Sequence, residues 1–275
     1  MDLDAKLKML EDILKGFPSL LVAFSGGVDS TFLLAVAKKH LKENVVAVTG
    51  DSPIHPPWET RDAVLLAKKL NVRHMILPTR EMELPEFLKN PENRCYICKK
   101  NLLWELQKIG RELGISRIAH GANLDDLNDY RPGSQAADEL GALSPLVEAG
   151  LTKDDIRTLS RKMGLETWNK PSMPCLVTRV PYNMTITRAV LGQIEAAEKI
   201  LLDLGIGIFR VRHHGNLARI ETSPGNFNYL LQDDIRKKIL NAFRELGYLY
   251  VSLDFEGYAS GSLNRSLRDD PQKRH

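Results

Sequence analysis

The chain has 275 residues, 43% hydrophobic and 27% charged, and its 38 Lys and Arg against 35 Asp and Glu give a net charge of +3. That length allows one large domain or two small ones around a sizeable core, and so even a balance of charge gives no argument for nucleic acid as a partner. No apolar run approaches the roughly 18 residues of a membrane span, and the N-terminal stretch alternates charged and apolar residues like an amphipathic helix rather than a signal peptide, so a cytoplasmic location is expected.

In chain order, residues 18–24 form a short apolar run that reads as a buried strand, followed by helical spacing over 31–42. A second buried strand is predicted at 44–49, ending at Gly50-Asp51-Ser52, then a helix at 58–70 and a strand at 74–77. A helix at 99–113 and a strand at 116–120, ending at Gly121-Ala122-Asn123, complete the series. Strands alternating with helices predict a parallel sheet with right-handed crossovers, whose ligands bind at the carboxyl ends of the strands. The stretch Trp168 to Pro174 is Pro-containing and irregular. Beyond it the pattern gives a helix at 187–204, strands at 209–213 and 217–221, a helix at 228–246 and a strand at 250–253. The expected organisation is an α/β domain over 1–170, a smaller α+β domain over 171–265 and a disordered charged tail over 266–275.

The hexapeptide Ser25-Gly26-Gly27-Val28-Asp29-Ser30 lies between the first strand and the first crossover helix. The glycines allow a sharp turn and a close backbone approach to a ligand. Successive N–H groups and the helix N-terminus then favour an anion. Ser25 and Ser30 can donate hydroxyls to phosphate oxygens, and Asp29 can hold Mg²⁺ against them. No Gly-Lys-[Ser/Thr] follows, so this is not a Walker loop. The hexapeptide resembles the PP-loop of the ATP pyrophosphatases, an adenine nucleotide alpha hydrolase-like fold. The resemblance implies ATP cleavage between the α and β phosphates and adenylation of a substrate oxygen. Asp51, Ser52, Gly121 and Asn123, at the ends of neighbouring strands, are expected to share the nucleotide crevice.

Cysteine occurs three times, as Cys95, Cys98 and Cys175, which argues against a disulfide scaffold. Three thiolates could bind zinc together with a histidine, or hold three irons of a 4Fe-4S cluster and leave the fourth open. Nearby Arg and Lys favour the thiolate form.

Four further motifs narrow the reading. They are Gly121-Ala122-Asn123-Leu124-Asp125-Asp126-Leu127-Asn128-Asp129-Tyr130-Arg131-Pro132-Gly133; Trp168-Asn169-Lys170-Pro171 followed by Cys175-Leu176-Val177-Thr178-Arg179 and Pro181-Tyr182; Arg210-Val211-Arg212-His213; and Ala218-Arg219-Ile220-Glu221. In this order, and over about residues 1 to 265, they resemble the LarE sulfur transferases. The resemblance implies that ATP activates a carboxylate of pyridinium-3,5-biscarboxylic acid mononucleotide and that sulfur then replaces the adenylate, in the making of a nickel-pincer nucleotide. In single-cysteine members the cysteine matching Cys175 gives up its own sulfur. Members with three cysteines are associated with a 4Fe-4S cluster that carries an extra sulfide. The presence of Cys95 and Cys98 implies the second type here, with Cys175 a ligand at the reaction centre alongside Asp29.

Carried over in the same way, Arg210, Arg212 and Thr178 would bind the substrate's phosphate or the leaving pyrophosphate, with Arg179 at the same substrate site and Glu198 facing the same pocket. Glu198 could equally lie on a solvated helix face. Arg210 and Arg212 share one face of a strand by the period of two, and an anion between them would relieve their repulsion. Asp129 and Arg131 could form a structural ion pair or shape the crevice. Adjacent His213 and His214 point to opposite faces, which disfavours a metal site, and Trp58 and Trp104 read as packing residues. The rival functions are a tRNA thiolase, an ammonia-using synthetase and a non-catalytic nucleotide or metal store. The source of sulfide is left open, and strands of the C-terminal part could supply an interface between copies of the chain.

Overall fold

The computed structural model describes residues 2–128, 132–259 and 261–268. Asp129, Tyr130 and Arg131 of the signature and residues 269–275 of the expected tail lie outside the described residues. The chain divides into two compact units, Met1–Phe87 with Pro91–Met173, and Leu88–Asn90 with Pro174–His275.

The first unit is built on strands β1 (Leu20–Ala23), β2 (Val45–Asp51), β3 (Arg73–Pro78) and β4 (Ile118–His120). All are parallel, in the order β3-β2-β1-β4, with Leu20 opposite Val45 and Leu21 opposite Ile118. Helices α1 (Leu3–Lys15), α2 (Val28–Leu41), α3 (Pro57–Lys69), α4 (Pro85–Leu88), α5 (Arg94–Leu113), α6 (Pro132–Glu139), α7 (Pro145–Glu148) and α8 (Lys153–Lys162) accompany them.

The two-residue period of a strand sorts the apolar residues onto two faces. Leu20, Val22, Val45 and Ala47 join a core with α1, α2, α3 and α8. Leu21, Val46 and Val48 join another with Leu103 and Leu106 of α5. Both faces are therefore covered, which is why β1 and β2 read as unbroken apolar runs. Each buried Leu or Val among them contributes about 1.5–3 kcal/mol. Parallel strands end at one edge, so the segments after Ala23, Asp51 and His120 emerge together.

The second unit holds β5 (Phe209–His214), β6 (Leu217–Thr222) and β7 (Tyr250–Leu253), with β5 antiparallel and β7 parallel to β6. Helices α9 (Arg188–Asp203), α10 (Phe227–Leu230), α11 (Asp233–Glu245) and α12 (Arg265–Arg268) complete it. Ala197 and Leu201 of α9, Val211, Ile220, Phe243 and Tyr248 form its core.

Four expectations change. The helix expected from 99 begins at Arg94, so Cys95 and Cys98 lie within its first five residues instead of in the loop before it. Amides of Tyr96 and Ile97 already bond to the Asn93 carbonyl, at 2.9 and 3.3 Å. The single helix expected over 228–246 is broken at Gln232, whose extended backbone (ψ 139°) starts a new helix on Asp233 and Asp234, acidic residues suited to a helix N-terminus. Trp104 is half exposed and does not pack in a core, because α5 turns it outward beneath Lys100, whose ammonium lies 5.8 Å from the ring. Glu198 is wholly buried, which removes the solvated-face alternative.

Candidate active site

The loop after β1 is shaped by its own backbone. Phe24 still bonds to Val48 of β2 (2.8 Å), and Gly26 then turns at φ +68°, with the backbone of Ala63 3.2 Å from where a Cβ would stand. Gly27 opens α2 with no side-chain cap on that helix. The two hydroxyls lie together, Ser25 Oγ 3.1 Å from Ser30 Oγ, and Ser30 Oγ also reaches the Gly27 carbonyl at 3.3 Å. The result is a turn of backbone N–H groups at a helix start, the arrangement that binds phosphate.

Asp29 sits in the first turn of α2. Its Oδ2 accepts from Lys153 Nζ at 2.5 Å, while its Oδ1 is buried with no hydrogen-bond partner among the described residues. An inward-facing carboxylate oxygen without a proton donor suits a cation, so the donor set fits Mg²⁺. Gly121 supports the loop from behind. A Cβ there would lie 2.8 Å from the Ser30 nitrogen, so the chain leaving β4 can pass this close only as glycine.

The other crevice residues have local partners. Asp51 Oδ1 accepts from Thr60 Oγ1 at 3.0 Å, and Ser52 is buried. Asn123 is buried, with its amide on Asp126 and its side-chain oxygen accepting from the Asp125 amide at 3.0 Å. Nearby, His120 is held neutral: burial, then the charge of Lys99, pull it down to about 3, and its Nε2 lies 2.9 Å from Ser144 Oγ. Burial likewise pushes Lys99 down, partly opposed by Cys98. Neither His120 nor Lys153 was singled out by sequence reasoning.

Cys95 is exposed and Cys98 half-buried, and neither is in a disulfide. Their spacing puts both thiols on one side of α5 near its start. Cys98 Sγ donates to Glu81 Oε1 at 3.7 Å, and Glu81 is almost wholly buried. Two thiols three residues apart on one helix face fit a pair of metal ligands. Cys175 belongs to the second unit. Among the described residues no group of three or more His, Cys, Asp or Glu side chains is placed to hold a metal ion.

In the second unit Cys175 begins a 3-10 turn, Leu176–Arg179. Arg179 ties that turn down. Its Nη1 donates to the carbonyls of Pro174 (2.6 Å) and Cys175 (3.2 Å) and to Thr178 Oγ1 (2.9 Å). Its Nε and Nη2 reach the two oxygens of Glu198 at 2.8 and 2.9 Å. Glu198 also accepts from the Val211 amide at 3.0 Å. Arg212 donates to the Thr178 carbonyl at 2.6 Å and to Glu221 at 2.7 Å. The Arg210 guanidinium lies 5.0 Å from the centre of the Tyr258 ring. Burial, then Arg179 and more weakly Arg212, pull Arg210 down to about 10, where it is still charged at neutral pH. The strand period put Arg210 and Arg212 on one face; both are buried, and the anion beside Arg212 is Glu221. His213 is buried against Tyr248 (3.2 Å) and His214 is exposed.

The family model described as NAD synthase matches residues 4–102. With the parallel sheet and the glycine-rich loop, this makes the first unit a PP-loop ATP-binding domain. The chain is 43% identical over 265 residues to protein slr1717 of Synechocystis, covering 96% of this chain and 99% of that protein. It is 35% identical over 267 residues to pyridinium-3,5-bisthiocarboxylic acid mononucleotide synthase of Lactiplantibacillus plantarum, covering 96% of each. It is also 29% identical to protein MJ0830 of Methanocaldococcus jannaschii, over 88% of this chain and 91% of that one. The chain belongs to the LarE family and is an ATP-dependent sulfurtransferase.

Proposed function

We propose that this enzyme adenylates a carboxylate of pyridinium-3,5-biscarboxylic acid mononucleotide and replaces the adenylate with sulfur, as a step in making a nickel-pincer nucleotide cofactor. The observation that carries this reading is the 35% identity, spread over 96% of both chains, to the Lactiplantibacillus plantarum synthase. Residues 1–170 act as the ATP domain, 171–265 as the substrate and sulfur-transfer domain, and the protein works in the cytoplasm on a small nucleotide.

Each residue then has a part. The Gly26-Gly27 backbone, Ser25 and Ser30 hold the β and γ phosphates, and Asp29 would hold a Mg²⁺ that would screen their charge. Asp51, Ser52, Gly121 and Asn123 form the rest of the nucleotide crevice. A substrate carboxylate oxygen attacks the α phosphorus in line, and pyrophosphate leaves. Arg210, Arg212 and Thr178 bind the substrate's phosphate or the leaving pyrophosphate. Arg179 and Glu198, expected at the same pocket, are wholly buried against each other and hold the Cys175 turn instead.

Cys95, Cys98 and Cys175 would be the residues that hold a 4Fe-4S cluster, and the chemistry it would supply when bound is a sulfide to take the place of AMP on the activated carboxyl carbon. Three thiols outside any disulfide, two of them adjacent on a helix face, are the donor set that supports this.

The test is anaerobic purification, followed by iron and sulfide analysis of the wild type and of Cys95→Ala, Cys98→Ala and Cys175→Ala. About four irons per chain, lost in each variant, is the expected result. An iron-free protein whose mass falls by one H₂S after turnover would replace it with sulfur donation from Cys175 itself.

A further inference from the structure

Lys170 stands five positions before Cys175, in the last stretch of the first unit, and its segment is fastened on two sides. On one side a single guanidinium holds the backbone: Arg157 of α8 donates from Nη1 to the Trp168 carbonyl (2.9 Å) and from Nη2 to the Lys170 carbonyl (3.1 Å). Arg161, one turn further along α8, lies 5.0 Å from the centre of the Trp168 ring. On the other side Lys170 Nζ reaches α3 and donates to Glu59 (3.1 Å) and Asp62 (3.3 Å). The Lys170 and Glu59 side chains are only 19% and 16% exposed, so this pair is better shielded than an ordinary surface ion pair.

The part of α3 that Lys170 meets also backs the phosphate loop. Glu59 and Ala63 are four positions apart and share one side of the helix, and Asp62 adjoins Ala63. Gly26 turns directly against Ala63, whose Cα is 3.2 Å from where a Cβ on Gly26 would stand, so loop and helix meet backbone to backbone. A shift of Gly26 on phosphate binding therefore bears on α3, and α3 holds Lys170. Beyond Lys170 the chain is stiff. Pro171 fixes its own φ and keeps Lys170 out of the helical region (φ −56°, ψ 126°), and Pro174 fixes φ again just before Cys175. Five residues span at most about 18 Å, so a displacement at Lys170 has a short, restrained path to Cys175.

We propose that Lys170 is a positioning residue that couples nucleotide binding to the sulfur-transfer segment: it carries the state of the phosphate loop, through α3, to the turn that presents Cys175, which becomes ordered when a nucleoside triphosphate is bound. Packed backbone and ion pairs are the elements through which such coupling runs. This inference rests on the assignment of the loop to the phosphates of ATP.

Hydrogen exchange read by mass spectrometry on the whole protein tests it, in wild type, Lys170→Met and Lys170→Arg, with and without saturating ATP and Mg²⁺ and with no carboxylate substrate. Calorimetric titration sets the saturating concentration for each protein. ATP is expected to slow exchange of the amides at 175–178 by roughly fivefold or more in the wild type, to leave it unchanged in Lys170→Met, and to slow it in part in Lys170→Arg. A merely structural role would alter the exchange rate but keep the effect of ATP, so an equal ATP effect in wild type and Lys170→Met would overturn the proposal. A wild type that binds ATP with no change at 175–178 would overturn it too. A wild type that binds no ATP would overturn the loop assignment itself. Should Lys170→Met fail to fold, Glu59→Gln with Asp62→Asn removes the same bridge from the α3 side and decides in the same way.

Discussion

Arg179 and Glu198 form a two-point ion pair, 2.8 and 2.9 Å long, in which neither side chain is exposed to solvent. The pair joins the Cys175 turn to α9 and, through the Val211 amide, to β5. Removing one member leaves the other charged and buried. Glu198→Ala is expected to cost about 3–5 kcal/mol in urea unfolding. A double change, Arg179→Met with Glu198→Leu, should recover a large part of that loss, since an apolar pair of similar volume replaces two desolvated charges. A double variant no more stable than Glu198→Ala would mean that the carbonyls left behind at Pro174 and Cys175 dominate the cost.

Gly121→Ala places a methyl group 2.8 Å from the Ser30 nitrogen, against backbone that cannot swing aside. Overpacking of this kind costs about 1–3 kcal/mol. Because the displaced atoms belong to the phosphate loop, the variant should also lose ATP affinity, which titration with ATP can measure. Unchanged stability with unchanged affinity would show that β4 can shift away from the loop.

His120 gives the protein an acid-sensitive element. Its ordinary value of 6.5 falls to about 3 in the folded chain, chiefly through burial. Between those values the unfolded chain takes up a proton that the folded chain refuses, so stability rises with pH through this window. The contribution is fully present above 6.5 and is lost as the pH falls toward 3, by at most about 1.4 kcal/mol per pH unit. Urea midpoints at pH 7 and pH 5 should differ less in His120→Asn than in the wild type. Parallel slopes in the two proteins would mean that His120 titrates normally when folded.

The thiols of Cys95 and Cys98 differ in access. Cys95 is exposed, while Cys98 is half-buried and donates to the buried Glu81. In reduced, iron-free protein, alkylation followed by mass spectrometry should modify Cys95 well before Cys98. Glu81→Gln should speed labelling of Cys98 if that contact holds the thiol inward, and equal rates at both cysteines would rule out the difference.

The phosphate loop and the buried strands were legible in the sequence because their signals are local. Two glycines between an apolar run and a helical repeat leave the backbone few alternatives, and β1 and β2 are apolar on both faces because both are covered. The helix α8 was missed, although Thr152 and Asp155 carry a capping-box pattern and Ile156 and Leu159 keep the helical period. What sequence could not give were the pairings across long separations. Lys153 meets Asp29 across 124 positions, and nothing in either segment names the other. Glu198 read equally as a residue facing the substrate pocket and as part of a solvated helix face, and neither segment names the Arg179 guanidinium that lies against it.

The short stretch Leu88–Asn90 counts with the second unit although its neighbours on both sides count with the first. Asn90 is wholly buried there, accepting from the Asn183 amide (2.9 Å) and donating to the Pro181 carbonyl (2.7 Å). The second unit is therefore threaded by a piece of chain made long before the rest of it. A fragment starting at Pro174 would lack that thread and expose the amide and carbonyl it satisfies, so no single cut yields two self-sufficient halves. In synthesis, too, Leu88–Asn90 emerges well before the Asn183 amide and the Pro181 carbonyl that Asn90 satisfies.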